Sequence, residues 1–302
     1  YEPTDARYIS VAYYALDARY MAAMSRAIGR ADRAAHYDSL FEQVRDHFRR
    51  IYCNAEGDLN PEVRTQTGYL LALRNDLLLP ERRPAAVAAL KQKIIDNGYK
   101  LSTGFVGSCI LNEVLAEFGE NNLAYSLLLQ TENPSWLYSV HQGATTIWER
   151  WNSYTKATGF GDVGMNSFNH YAYGAVQEWM YRHIAGIETT EQAPGFAHPI
   201  LQPKPDTRSA EEIPAGQEKI TWVRTSFASP VGLIESAWDM TDGFTYTCRV
   251  PVAATLHLPL IGNAETLIIN GVAHKPDEFR LCPIGKGVTI ELAPGAYTIE
   301  QK

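Results

Sequence analysis

The 302-residue chain is poor in cysteine. Its four residues, Cys53, Cys109, Cys248 and Cys282, lie far apart and form no CxxC pair. That spacing excludes a zinc ribbon or a dithiol redox motif. The thiols read as free and buried in a reducing compartment, which favours the cytoplasm and leaves the periplasm and two disulfides open. No initiator methionine stands before Tyr1, so the native N-terminus is expected upstream and the lack of a leader carries no weight. Positive charge is in deficit, with 27 Lys and Arg against 34 Asp and Glu, a net of −7. An acidic chain without a basic patch is a poor match for nucleic acid or an anionic membrane. No apolar run reaches the ~18 residues that would span a bilayer. No ligand constellation for a metal is visible, and neither a metal nor a cofactor is expected.

Aromatics are plentiful, with 17 Tyr and 6 Trp. Such an excess fits sugar binding, where a ring stacks on a pyranose face, and equally fits an aromatic core. Up to about His183 the pattern is helical. Ile9, Ala12, Tyr13, Leu16, Tyr20, Ala23, Met24 and Ala27 trace one stripe, with Thr4 as N-cap and Gly29 as stop. A second stripe runs Tyr37, Leu40, Phe41, Val44, Phe48, Ile51. Further helices are expected over 65–73, 84–98, 110–118 and 121–129, and a last one over 167–184 capped by Asn166 or Ser167. Proline is scarce in this part, because eleven of the 16 lie from Pro194 onward. There, short alternating runs are separated by turn signals, of which Asn270-Gly271 is the strongest hairpin signal. The reading is stacked helical hairpins over 1–188 followed by an antiparallel β-sandwich over 189–302.

The chemistry concentrates between Asn133 and Tyr173. Trp136, Trp148 and Trp151 cluster there, and Glu149 lies between two of them. Flanking rings desolvate a carboxylate, Arg150 opposes that effect, and a general base needs this kind of balance. The plain alternative is a surface ion pair. The three tryptophans read either as a wall for a sugar face or as core. His170 near a helix start reads either as a ligand donor or as a capping residue. Thr103, Gly104 and Phe105 open another helix and are candidates for a pocket lining, or simply a place where glycine lets helices approach.

The run 144–151, Ala-Thr-Thr-Ile-Trp-Glu-Arg-Trp, with Met165-Asn166-Ser167-Phe168-Asn169-His170-Tyr171-Ala172-Tyr173-Gly174, resembles the bacterial α-L-rhamnosidase family. Thr103–Gly107, Pro134-Ser135-Trp136, Pro194-Gly195-Phe196 and the run 234–238 fit the same pattern. The resemblance implies an (α/α)6 toroid followed by an antiparallel β-sandwich, and inverting release of terminal α-L-rhamnose. It implies Glu149 as general base, His170 as a sugar ligand, and Trp136 and Trp148 near the pocket; Trp151 is expected there from the tryptophan cluster, and Thr103 and Phe105 because helix ends line the pocket of a toroid. The family's acidic, Trp-containing acid motif has no counterpart here. Asp5, Asp17, Glu62, Asp162 and Glu178 are the carboxylates to weigh for that role, Asp162 first. About seven helices fall short of twelve, so the chain reads as the C-terminal part of a longer enzyme. It is expected to be inactive alone, with an open toroid that the N-terminal half or a second copy would cover. Rival readings are another (α/α)6 glycosidase or lyase, or a carbohydrate-binding fragment without turnover.

Overall fold

The computed structural model describes residues 2–283 and 285–302. Two compact units divide the chain, Tyr1–Val176 and Gln177–Lys302.

The first unit is helical. α1 (Ala6–Ala27) and α2 (Ala31–Tyr52) form a long hairpin. The N-cap is Asp5, whose carboxylate accepts from the amides of Arg7 and Tyr8, and not Thr4, whose hydroxyl instead meets Thr65 Oγ1 at 2.5 Å. The buried face of α1 also differs from the expected stripe. It consists of Tyr8, Ala12, Ala15, Ala18, Ala22 and Ser25. Small side chains let the α2 backbone approach, and α2 supplies the bulk through Phe41, Val44 and Phe48. Tyr14, Tyr20 and Met24 are left exposed on the other side of α1. Gly29, at φ +73°, ends α1 as expected.

α3 (Gln66–Arg74) is capped by Thr65, whose hydroxyl accepts from the Gly68 amide. It is buried nearly all round and is tied to α1 by Tyr8 Oη donating to Gly68 O at 2.6 Å and Asn75 Nδ2 to Ala12 O at 3.0 Å. α4 (Arg83–Asp96), α5 (Phe105–Ser108), α6 (Leu111–Glu117) and α7 (Asn121–Leu128) follow. Gly107 lets α5 approach α3, since a Cβ there would stand 2.5 Å from Thr67 Oγ1. α8 (Trp136–His141) was not expected, although Ser135 caps it with its hydroxyl on the Tyr138 amide. A two-residue hairpin, β1 (Tyr154–Thr155) with β2 (Gly159–Phe160), completes the unit before the last helical stretch.

That stretch departs from the expected single helix over 167–184. Residues 167–171 are extended or bent, a 3-10 turn spans Ala172–Ala175, α9 covers Val176–Trp179, and Met180–Ile184 is a π-helical turn. The reason is competition. The backbone of 167–170 bonds to the segment around Glu149, so it cannot close helical bonds as well.

The second unit holds two sheets. β5 (Trp222–Ser229), β6 (Gly232–Asp239), β7 (Phe244–Val250), β9 (Leu267–Ile269), β10 (Val272–His274) and β13 (Gly295–Gln301) make a six-stranded sheet in the order β10-β9-β13-β7-β6-β5. β3 (Ile187–Glu188), β4 (Ile200–Leu201), β8 (Ala254–Pro259), β11 (Arg280–Leu281) and β12 (Gly287–Leu292) make the other, in the order β11-β12-β8-β4-β3. The Asn270-Gly271 hairpin forms as expected, with φ of +49° and +85° and Ile269 paired to Val272. One pair breaks the antiparallel rule, because β4 runs parallel to β8. No disulfide joins the four cysteines, of which Cys248 is buried and the others half-buried. Residues 202–221 contain no strand and are pinned by a fully buried ion pair. Arg208 Nε and Nη2 meet Asp206 Oδ1 and Oδ2 at 2.9 and 2.7 Å, while Asp206 accepts from the Ile220 amide and Arg208 donates to Glu218 O.

Candidate active site

A cavity of about 550 Å³ opens within the helical unit. Its wall is built in steps from α3. Gln66, fully buried, grips the segment before α5 with both ends of its amide, Nε2 on Lys100 O at 3.3 Å and Oε1 on the Ser102 amide at 3.0 Å. That fixes Leu101 and Gly104, which line the cavity, and aims Thr103 O at the Trp151 indole, whose Nε1 donates to it at 2.8 Å. Trp151 then stacks on Tyr173, ring centres 3.8 Å apart and planes 16° apart, with Trp136 edge-on at 5.5 Å. Asn133 Nδ2 holds Trp151 O at 2.6 Å. Trp151 therefore presents one face to the cavity with its other contacts committed to protein.

Glu149 lines the same cavity and is only 9% exposed. Its Oε2 accepts from the Ser167 amide at 2.7 Å, and its own amide donates back to Ser167 O at 2.9 Å. Among the described residues it forms no ion pair, so the surface-pair alternative does not describe it, and Oε1 takes no protein donor. The His170 amide donates to Ile147 O at 2.8 Å and the Thr146 hydroxyl to Phe168 O, so the two motif stretches are laced side by side. Ser153, fully buried, closes the turn behind them. Its hydroxyl accepts from the Arg150 amide at 3.1 Å, and its carbonyl accepts from the Gly161 amide at 2.8 Å and Asn166 Nδ2 at 3.1 Å.

His170 is not on the cavity wall. Its ring stacks on Phe105, which is on the wall, at 4.8 Å and 7°. Nδ1 accepts from the Ala172 amide at 3.3 Å, which leaves the proton on Nε2 and makes that atom a donor. It caps no helix. Tyr171, 89% exposed, lies parallel on the far side at 5.5 Å. Of the other residues singled out in the sequence, Thr103 is buried and acts on Trp151 through its carbonyl. Trp136, 6% exposed, donates Nε1 to Tyr173 O, and Trp148, 8% exposed, packs between Tyr154 and Phe168. Asp5, Asp17, Glu62, Asp162 and Glu178 are off the wall, and among the described residues Glu149 is the one carboxylate on it. Asp162 is exposed and spends Oδ1 on the Gly164 amide at 2.9 Å.

Asn133, Asn152, Arg150 and Tyr173 line the cavity and were not singled out in advance. Tyr173 lay inside a motif already marked, and its even spacing from Tyr171 was the available signal. Ser153 left none, because one buried serine has no periodicity.

Two family profiles cover the chain. One described as the bacterial alpha-L-rhamnosidase 6 hairpin glycosidase domain matches residues 1–184, and the bacterial alpha-L-rhamnosidase C-terminal domain matches 186–271. An alpha-L-rhamnosidase of Formosa agariphila is 40% identical over 264 residues, 87% of this chain and 27% of that protein. One of Streptomyces avermitilis is 38% identical over 248 residues, 82% of this chain and 22% of that protein. The crystal structure of the Streptomyces avermitilis alpha-L-rhamnosidase complexed with L-rhamnose superposes with a TM-score of 0.84 at 32% identity, covering 100% of this chain and 27% of that one. The native enzyme of Aspergillus terreus gives 0.79 at 28%, covering 98% and 30%. The chain thus spans about a quarter of the length of the curated relatives it matches. With helical hairpins, an antiparallel-rich β unit and both profiles in register, the chain belongs to the bacterial α-L-rhamnosidase family.

Proposed function

We propose that this chain is the general-base portion of an inverting glycoside hydrolase that releases terminal α-L-rhamnose. The observation that carries this reading is Glu149, the one carboxylate on the cavity wall, buried, with one oxygen fixed by a backbone amide and the other uncommitted. In an inverting hydrolysis the base takes a proton from a water poised on the ring face opposite the leaving oxygen. Oε1 of Glu149 fills that role, and the Ser167 amide keeps the carboxylate from rotating away. The water oxygen bonds to the anomeric carbon while the glycosidic bond breaks, and a second carboxyl group protonates the departing oxygen. We place that acid outside this chain, since among the described residues no other carboxylate lines the wall.

Trp151 offers its face to the sugar, Phe105 adds apolar surface, and His170 Nε2 donates to a hydroxyl. Thr103, Trp136 and Trp148 act behind them as positioning residues. The exposed Tyr14, Tyr20 and Met24 of α1 meet further hairpins of a complete toroid. The initial product of the whole protein, followed by proton NMR, tests the stereochemistry. The β-anomer of L-rhamnose appearing first supports inversion, and the α-anomer first rejects it. Rhamnose binding without any turnover by the whole protein would favour a carbohydrate-binding role instead.

A further inference from the structure

We propose that the outer face of the six-stranded sheet is a second saccharide-binding site, built wholly within the β unit. It rests on the rhamnosidase reading only for the choice of sugar.

Of the six tryptophans, Trp222 alone is exposed, at 56%. It stands on the edge strand β5, on the face opposite the core. The ladder sets its neighbours. Trp222 pairs with Asp239 and Arg224 with Ala237, and across β6 these pair with Thr245 and Thr247 of β7. All of these side chains point to one face, since residues two apart in a strand share a side. Ala237 sits in the middle with no bulk beyond Cβ, and a depression of about 410 Å³ opens over it, inside the size range of small-ligand pockets. Its wall carries Arg224, Asp239, Asp242, Thr245 and Thr247.

These groups are turned outward, and Trp222 stands beside the depression at the position paired with Asp239. The Arg224 guanidinium lies over the Trp222 ring at 5.7 Å and forms no ion pair among the described residues. Asp239 gives only Oδ1 to protein, accepting from the Thr241 amide at 2.8 Å and its hydroxyl at 2.5 Å. That bracing fixes the carboxylate on the depression's wall and leaves Oδ2 without a protein donor among the described residues. A fixed acceptor, a planar multiple donor, two hydroxyls and an apolar ring edge match a ligand with adjacent hydroxyls and an apolar face, which is a sugar ring. A core-facing role is excluded, because the opposite face of the same strands carries Ile234, Trp238, Tyr246 and Val250, all buried. A merely solvated strand face needs no lone exposed tryptophan beside a braced carboxylate.

The test is affinity electrophoresis of the 302-residue chain through gels holding a polysaccharide with terminal α-L-rhamnose. The panel is the unaltered chain, Trp222→Ala, Arg224→Ala and Trp151→Ala, with far-ultraviolet circular dichroism checking the fold. The expected result is that Trp151→Ala loses only the cavity's share of the retardation and is still held back, while Trp222→Ala binds at least about tenfold more weakly than the unaltered chain and Arg224→Ala falls between, as for exposed Trp and Arg anchors. Retardation lost in Trp151→Ala and kept in Trp222→Ala overturns the proposal and leaves the Glu149 cavity as the site. No retardation of the unaltered chain overturns it as well. Retardation that depends on Trp222, in a protein whose whole form hydrolyses no rhamnoside, would sustain this site while rejecting the function proposed above.

Discussion

The two units hold their polar side chains in opposite ways. In the helical unit most groups on the cavity wall come from irregular backbone between helices, with Phe105 at the start of α5 and Tyr173 in a 3-10 turn, and rings and single hydrogen bonds lock them in place. Trp151 is held by Thr103, Tyr173, Trp136 and Asn133, and Glu149 by Ser167. In the β unit the outward polar groups stand on ladder strands whose register places them, and the irregular run 202–221 is fastened by one buried ion pair. The comparison teaches that a loop-borne site depends on many individually modest contacts. A strand-borne face depends on register, and the pinned loop depends on one buried ion pair and the bonds it makes to Gln217, Glu218 and Ile220.

The sharpest way to break this contrast is Arg208→Met. It leaves Asp206 as an unpaired buried charge, and loss of about 3–5 kcal/mol is expected. Denaturant unfolding followed by hydrogen exchange should show amide protection falling in residues 202–221 and the strands beside them. A loss below about 1 kcal/mol would contradict the pinning role. On the other side, Trp151→Phe keeps a ring on Tyr173 but removes the indole donor to Thr103 O, which is left with the longer bond from Ser108 Oγ at 3.4 Å. About 1–1.5 kcal/mol is the expected cost of losing one such bond. In the whole protein this should raise KM more than it lowers kcat, because the ring contacts sugar in ground and transition states alike. Thr65→Ala removes the α3 cap and the Thr4 contact, and about 1 kcal/mol of stability should go with it, read as a shift in urea midpoint.

The smallest effect is an alkaline one. Burial pushes the Cys248 thiol up from 9.0 to about 12 and raises the buried Tyr246 phenol as well. Above pH 9 the unfolded thiol loses its proton while the folded one keeps it, so the unfolded state binds fewer protons and stability falls as pH rises toward 12. Urea midpoints from pH 8 to 10 should decline, with a shallower slope in Cys248→Ala.

Much of this was legible in the residues, and the exceptions have physical causes. Helix limits at Gly29, Gly98 and Gly119 could be read because positive φ selects glycine, and all three adopt it. The buried side of α1 was misread because hydrophobicity ranks tyrosine and methionine above alanine, while close approach of α2 rewards the smaller side chain. The helix expected over 167–184 lost its first turns to a pairing with 146–149, a contact between segments that local spacing does not register. Glu149, Trp151 and Phe105, marked in the sequence, line the cavity. Trp136 and Trp148 belonged to the same cluster but lie behind the wall, and composition cannot distinguish a ring that faces a cavity from one that supports it. The parallel β4–β8 pair was hidden because two-residue strands leave no alternation to read.

Substitution of Glu149 by Gln in the whole protein tests the central claim most directly. Gln can still accept from the Ser167 amide, so the wall should stand and rhamnose affinity should change little. Turnover of an aryl α-L-rhamnoside should fall by about 10²–10⁴, the usual contribution of a positioned base. Near-normal turnover in that variant would remove Glu149 from the chemistry and contradict the account.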